Sequence, residues 1–249
     1  MRVFTCIVFA LFLGQSASAS ILPKNNLHLK DNLLFAANMS EAEFSQRIDD
    51  VVRLWQPVAS AYGVRLSSQK SWTDSTVNAY AEQNGSSWVV KFFGGLARRP
   101  EITGDGFSLV VCHELGHHFG GYYFFGSGSF RRMTSEGSAD YFATQVCVPA
   151  LWGNDHEENE RFRALADSVT RRECDAVWRD VRSQNLCYRS TIAGKSLSRL
   201  FANLSGTPSP NTGTPNNSVV GSTNSSHPEA QCRLDTYFQG ALCTRNADP

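Results

Sequence analysis

The chain has 249 residues with 23 basic and 23 acidic side chains, so its formal charge cancels. Without a basic excess there is no face for neutralising phosphates, and no nucleic-acid partner is expected. At 41% hydrophobic and 18% charged residues it is neither disordered nor collagenous, and its length suits one domain of catalytic size.

Residues 1–19 read as an export leader. Arg2 gives a positive start, residues 3–13 form an uncharged apolar run, and Ala17-Ser18-Ala19 makes a small-x-small cleavage site before Ser20. The apolar run is shorter than the ~20 residues that span a membrane, and no later stretch approaches that length. The remainder, 20–249, is expected to be a single exported domain, periplasmic or extracellular, with no integral membrane segment.

Residues 40–62 have helical periodicity in Phe44, Ile48, Val51, Val52 and Trp55, behind a capping box of Ser40 and Glu43. Pro57 is expected to kink or end that helix. Short alternating runs at 64–66, 77–81 and 88–93, separated by Ser-rich and Asn-Gly-Ser stretches, predict a small antiparallel sheet of about three strands. Helical signals return at 107–120 and at 135–148, the latter stopped by Pro149. Capping boxes at Asn154 with Glu157 and Thr170 with Glu173 predict helices over 155–168 and 171–184, followed by a short one over 196–204. Residues 205–226 are Gly, Ser, Thr, Asn and Pro with almost nothing apolar, which reads as a flexible loop. His227-Pro228 then opens a last helix, with Pro228 at the first helical position. The fold class is α+β.

Outside the leader the cysteines are Cys112, Cys147, Cys174, Cys187, Cys232 and Cys243. An even number in an exported chain predicts disulfides, although six cysteines permit 15 pairings. The short separations favour Cys174–Cys187 and Cys232–Cys243, which leaves Cys112 with Cys147. Five Asn-x-Ser sequons, beginning at Asn38, Asn84, Asn203, Asn216 and Asn224, fall largely in polar stretches whose composition generates such triplets.

His113-Glu114-Leu115-Gly116-His117 carries the strongest chemical signal. Histidines four apart on a helix share a face and reach one ion, and the intervening glutamate reaches a water held there. The spacing fits two zinc ligands and the general base of a metalloprotease, with Zn2+ as the cofactor. Glu136 is the candidate third ligand. Asp140, one helical turn further, is placed to accept a hydrogen bond from His113. His118 lies one residue off the ligand face.

His113-Glu114-Leu115-Gly116-His117 followed by Glu136-Gly137-Ser138-Ala139-Asp140 resembles the gluzincin pattern. Asn78-Ala79-Tyr80-Ala81 with Gly85 and Gly94-Gly95-Leu96, and His227-Pro228 with Arg233, narrow the resemblance to CAAX prenyl proteases, HtpX heat-shock proteases and their soluble relatives. The chain departs from the membrane members in lacking spanning segments and in carrying six cysteines beyond the expected leader, which puts a prenylated substrate in doubt. The resemblance implies a zincin-like metalloprotease domain acting on proteins or peptides. It assigns His227 as donor to the reaction oxyanion, with Arg233 assisting. The strand at 77–81 or 88–93 is a candidate edge for pairing an extended substrate. Phe92, Phe93 and the aromatic run 122–125 are candidate pocket or core residues, and residues 126–129 a candidate rim.

Two other classes compete. A secreted binding module would keep zinc for structure alone, but Glu114 would then serve no purpose. A serine or cysteine hydrolase lacks a G-x-S-x-G elbow, since Ser129 stands in Gly128-Ser129-Phe130.

Overall fold

The computed structural model describes residues 17–30, 39–121, 133–218 and 226–245. The apolar run 3–13 on which the expected leader rests, the sequons at Asn38 and Asn224, and the segment 122–129 lie outside those residues. Helix α1 (Glu41–Ala61) starts where expected, with the Ser40 side chain accepting from the Glu43 amide at 3.2 Å. Pro57 does not end it. Its ring lies on the solvent side, where the carbonyl one turn back that loses its partner is open to hydration.

The sheet contains β1 (Ala17–Ser20), β2 (Arg65–Ser71), β3 (Ala79–Asn84) and β4 (Ser87–Phe93), in the order β1-β3-β4-β2. It is mixed, not antiparallel throughout, and has four strands where about three were expected. β3 and β4 form an antiparallel hairpin around Gly85, whose φ of 57° is the left-handed conformation that glycine adopts freely. β2 lies parallel to β4, and β1 lies antiparallel to β3. β1 went unforeseen because its residues read as the end of a leader. Alternation along β4 turns Trp88, Val90 and Phe92 into the core.

The chain leaves β4 through a short turn of helix, α2 (Gly94–Ala97), into α3 (Gly104–Phe119). α3 is buried along most of its length: Phe107 meets Phe44 at 5.0 Å, and the Thr103 side chain caps it by accepting from the Gly106 amide. α4 (Glu136–Phe142) runs into a π-helical turn (Ala143–Cys147) and then α5 (Val148–Trp152). Pro149 therefore does not stop the helical path. It falls in the first turn of α5, where its missing N–H costs little.

The next two expected helices are reset by their caps. α6 (His156–Leu165) follows Asp155, and α7 (Ser168–Val177) is capped by Asp167, which accepts from the Val169 and Thr170 amides. Neither predicted capping box is used. Asp180 opens a new helix by accepting from the Ser183 amide, so the helix expected over 171–184 is split there. That helix, α8 (Val181–Ser205), absorbs the short one expected over 196–204 and ends at Gly206 in the left-handed conformation. Residues 207–218 form no helix or strand, as their composition predicts. α9 (Ala230–Leu242) begins after Glu229, so Pro228 precedes the helix and is not its first residue.

Cys112–Cys147 ties α3 to the π turn, and Cys174–Cys187 ties α7 to α8. The expected Cys232–Cys243 bridge is not formed, and both thiols are free. One is inside α9 and the other is its C-cap. Eleven residues of helix separate them by ~16 Å, far beyond the ~7 Å limit for bridged Cα atoms.

Candidate metal centre

α3 turns His113, Glu114 and His117 toward α4, and all three are fully buried. Gly116 permits the close approach of the two helices, because a Cβ there would lie 2.7 Å from Ala139 Cα. At the near end of α4 the Ser135 side chain caps the helix, which makes Glu136 its first residue and aims it at the histidines.

The two Nε2 atoms are 3.1 Å apart. Glu136 Oε2 lies 3.2 Å from His113 Nε2, and Oε1 lies 3.4 Å from His117 Nε2. These separations suit ligands of one ion, since tetrahedral bonds of about 2.0–2.1 Å put neighbouring donor atoms ~3.3 Å apart. The far ring nitrogens fix the tautomers. His113 Nδ1 faces Asp140 Oδ1 at 2.7 Å, and His117 Nδ1 faces the Thr134 carbonyl at 3.0 Å. Each Nδ1 carries the proton that its acceptor requires, so both Nε2 lone pairs and a carboxylate converge on one point. Such a set has a use for a cation, and His113, His117 and Glu136 could together hold a metal ion.

The electrostatics around this point follow from burial and from Arg233. Burial alone would lower the His113 pKa, but Asp140 and Glu136 outweigh it and raise it to about 9, so without an ion the site takes up a proton instead. Burial lowers His117 to about 4. Burial opposes ionisation of Glu136, yet the two imidazoles and Arg233 hold it down at about 2. Asp140 is held well below the usual carboxylate range, against burial, by Arg233 and His113. Arg233 grips it with two hydrogen bonds, Nε to Oδ2 at 2.8 Å and Nη2 to Oδ1 at 2.7 Å, and lies over the Phe201 ring at 4.0 Å.

Glu114 is different. Burial, with Glu136 adding, raises it to about 8 against the pull of His113, Arg233 and the Ile21 amide, and among the described residues neither of its oxygens has a partner at hydrogen-bond distance. A buried carboxyl left so is costly, and it marks a group kept for a partner that comes and goes. His227 stands at the rim, its Nε2 3.7 Å from Glu136 Oε1 and donating to the Ser20 carbonyl at 2.8 Å.

Every site residue expected from the sequence lies in this cluster: His113, His117, Glu136, Glu114, Asp140, His227 and Arg233. His118 is a core residue, stacked on Trp88 with centroids 4.9 Å apart and bonded to Gln83 at 2.9 Å. Phe92 is likewise core, and Phe93 packs edge-on against Tyr80. Neither expected substrate edge is open: β4 is interior, and the outer side of β3 is covered by β1. Sequence reasoning missed three contributors. Thr134 acts through its backbone carbonyl, which carries no side-chain signature. Asn78 had been noted only as part of a motif; its side chain accepts from the Leu22 amide at 3.2 Å and donates to the Leu22 carbonyl at 3.3 Å. The stretch 20–22, lying against the cluster, was not foreseen at all.

No protein-family model, curated protein or solved structure matches the chain. Among the described residues no helix is long and apolar enough to cross a membrane. The two disulfides fit an oxidising, extracytoplasmic setting.

Proposed function

We propose that the chain is an exported zinc metalloendopeptidase with a zincin-like domain, related to the gluzincins and within them to the CAAX prenyl protease and HtpX group. The observation that carries this reading is a buried Glu114, without a hydrogen bond among the described residues, beside three converging ligand atoms. A structural zinc site is closed by four protein ligands, whereas this one has three and a carboxyl in waiting.

His113, His117 and Glu136 would hold the ion, with Asp140 and the Thr134 carbonyl fixing the two imidazoles. Zinc, when bound, supplies a Lewis acid and brings the pKa of a water to about 7. The residues do the rest. Glu114 takes the water's proton and returns it to the leaving nitrogen, a task suited to a carboxyl whose pKa burial has moved toward neutrality. His227 Nε2–H donates to the oxygen on which charge develops. Arg233, anchored on Asp140, presents Nη1 to a peptide carbonyl, as it does here to that of Ile21 at 2.7 Å. Once β1 is displaced from β3, backbone pairing along β3 would bind extended substrates with little regard to side chain.

The test is casein cleavage by the purified, oxidised, zinc-loaded chain beside Glu114→Gln. The wild type is expected to cleave casein and to stop on chelation. Glu114→Gln is expected to retain metal and lose about 10²–10⁴-fold in rate. Equal rates in the two proteins would refute the role of Glu114. Metal in both with no cleavage in either would favour a binding module.

A further inference from the structure

Ser20, Ile21 and Leu22 continue β1 past the metal-binding cluster, and their backbone groups are met one after another by side chains of that cluster and its surround. The Ser20 carbonyl accepts from His227 Nε2 at 2.8 Å. The Ile21 carbonyl accepts from Arg233 Nη1 at 2.7 Å. The Ile21 N–H points to the Ala79 carbonyl at 3.3 Å and also acts on the Glu114 carboxyl, while Asn78 closes on both polar groups of Leu22. An ordinary buried strand needs only its neighbour's backbone. Here one amide, Ser20–Ile21, has its oxygen on the histidine beside Glu136 and its N–H on the Ala79 carbonyl, from where it still acts on Glu114. The side chains of Ile21 and Leu22 are fully buried, so the stretch is seated and not merely draped.

We propose that the Ser20–Ile21 peptide bond is a substrate of this site, cut within its own chain, and that the site takes extended segments with a small residue before the reacting bond and an aliphatic residue after it. The proposal rests on the peptidase reading above. In the step, water adds to the Ser20 carbonyl carbon and the bond to the Ile21 nitrogen breaks. Both of the water's protons end on that nitrogen, the first carried there by Glu114, leaving a carboxylate on Ser20 and an ammonium on Ile21. Tethering replaces encounter with a fixed geometry, which favours this bond over any in a separate molecule. In a chain that still carries residues 1–19 the cut removes the whole of β1, so the outer side of β3 becomes available to other peptides. Leu22 also lines a cavity of about 320 Å³ together with His227 and Arg233, and departure of the new N-terminus would open that cavity onto the cluster.

The experiment uses the full chain produced without export, so that no leader peptidase acts on it, with its disulfides formed and metal removed. Before zinc is added, hydrogen exchange should find the Ile21 and Leu22 amides protected. After zinc, N-terminal sequencing and intact mass should show a chain beginning at Ile21, with a half-time unchanged by tenfold dilution. Outward amides of β3 should then lose protection, whereas Glu114→Gln should stay uncut and protected. Unprotected Ile21 and Leu22 amides in the metal-free chain would overturn the proposal. A wild-type chain that cleaves casein while its Ser20–Ile21 bond survives would overturn it too, and would leave the peptidase reading standing. Failure to cut either bond would remove both.

Discussion

His113 and His117 each use one ring nitrogen to hold a tautomer and leave the other for an ion, and the proton balance of that arrangement is measurable. With no ion present the carboxylates of Asp140 and Glu136 raise His113 to about 9, in spite of burial, so at neutral pH an incoming ion must displace a proton. Burial keeps His117 at about 4 and the cationic surround keeps Glu136 at about 2, so neither competes above pH 5. Metal affinity should therefore rise by about tenfold per pH unit from pH 6 to 8 and flatten above about 9. Competition titrations with a chelator at fixed ionic strength would show it, and a flat profile below pH 8 would contradict the assignment of His113. At this scale much of the site is legible in the sequence. His113, His117, Glu136 and Asp140 declare themselves because helical spacing converts positions four apart into neighbours. Thr134, Ser20 and Ile21 do not, because they contribute backbone groups common to every residue.

The site is assembled between two helices, and their separation depends on Gly116. A methyl group there would come within 2.7–2.8 Å of the Ala139 backbone, which no side-chain rotation can relieve. Gly116→Ala should push α4 outward, carry Glu136 away from the histidines and weaken metal binding by at least tenfold. The overpacking itself should cost about 1–3 kcal/mol, readable as a lower Tm of the metal-free chain. A variant with unchanged affinity would show that α4 can shift without moving Glu136. Element positions are less evenly legible. The bounds of α1, β4 and α3 follow from periodicity and from the Ser40 cap. The splitting of the expected 171–184 helix does not, because Thr170 and Glu173 form a plausible box while Asp167 and Asp180 make the caps that the fold uses. Pro149 misleads for a related reason: a π turn sets it in a first turn, where its chemistry is harmless.

For the molecule as a whole, the small α+β domain was legible, but the sheet's closure was not. β1 joins from residues that read in the sequence as the end of an expected leader, and only the tertiary structure places them against β3. The cysteines give the same lesson in reverse. Short sequence separation suggested Cys232–Cys243, yet a rigid helix holds the two apart. The described residues should accordingly carry two disulfides and two thiols. Alkylation in denaturant without reductant should label Cys232 and Cys243 and none of the four bridged cysteines, by peptide mapping. Finding those two joined would mean that α9 unwinds in the native protein.

The central claim is that His113, His117 and Glu136 bind one catalytic zinc, and the most direct measurement is the zinc content of the purified full chain by native mass spectrometry. The account predicts one zinc per chain in wild type and in Glu114→Gln, and its loss in His117→Ala with the fold retained by circular dichroism. A wild-type chain that stays metal-free when offered zinc at pH 8, or a His117→Ala chain that binds it as well as wild type, would contradict the account.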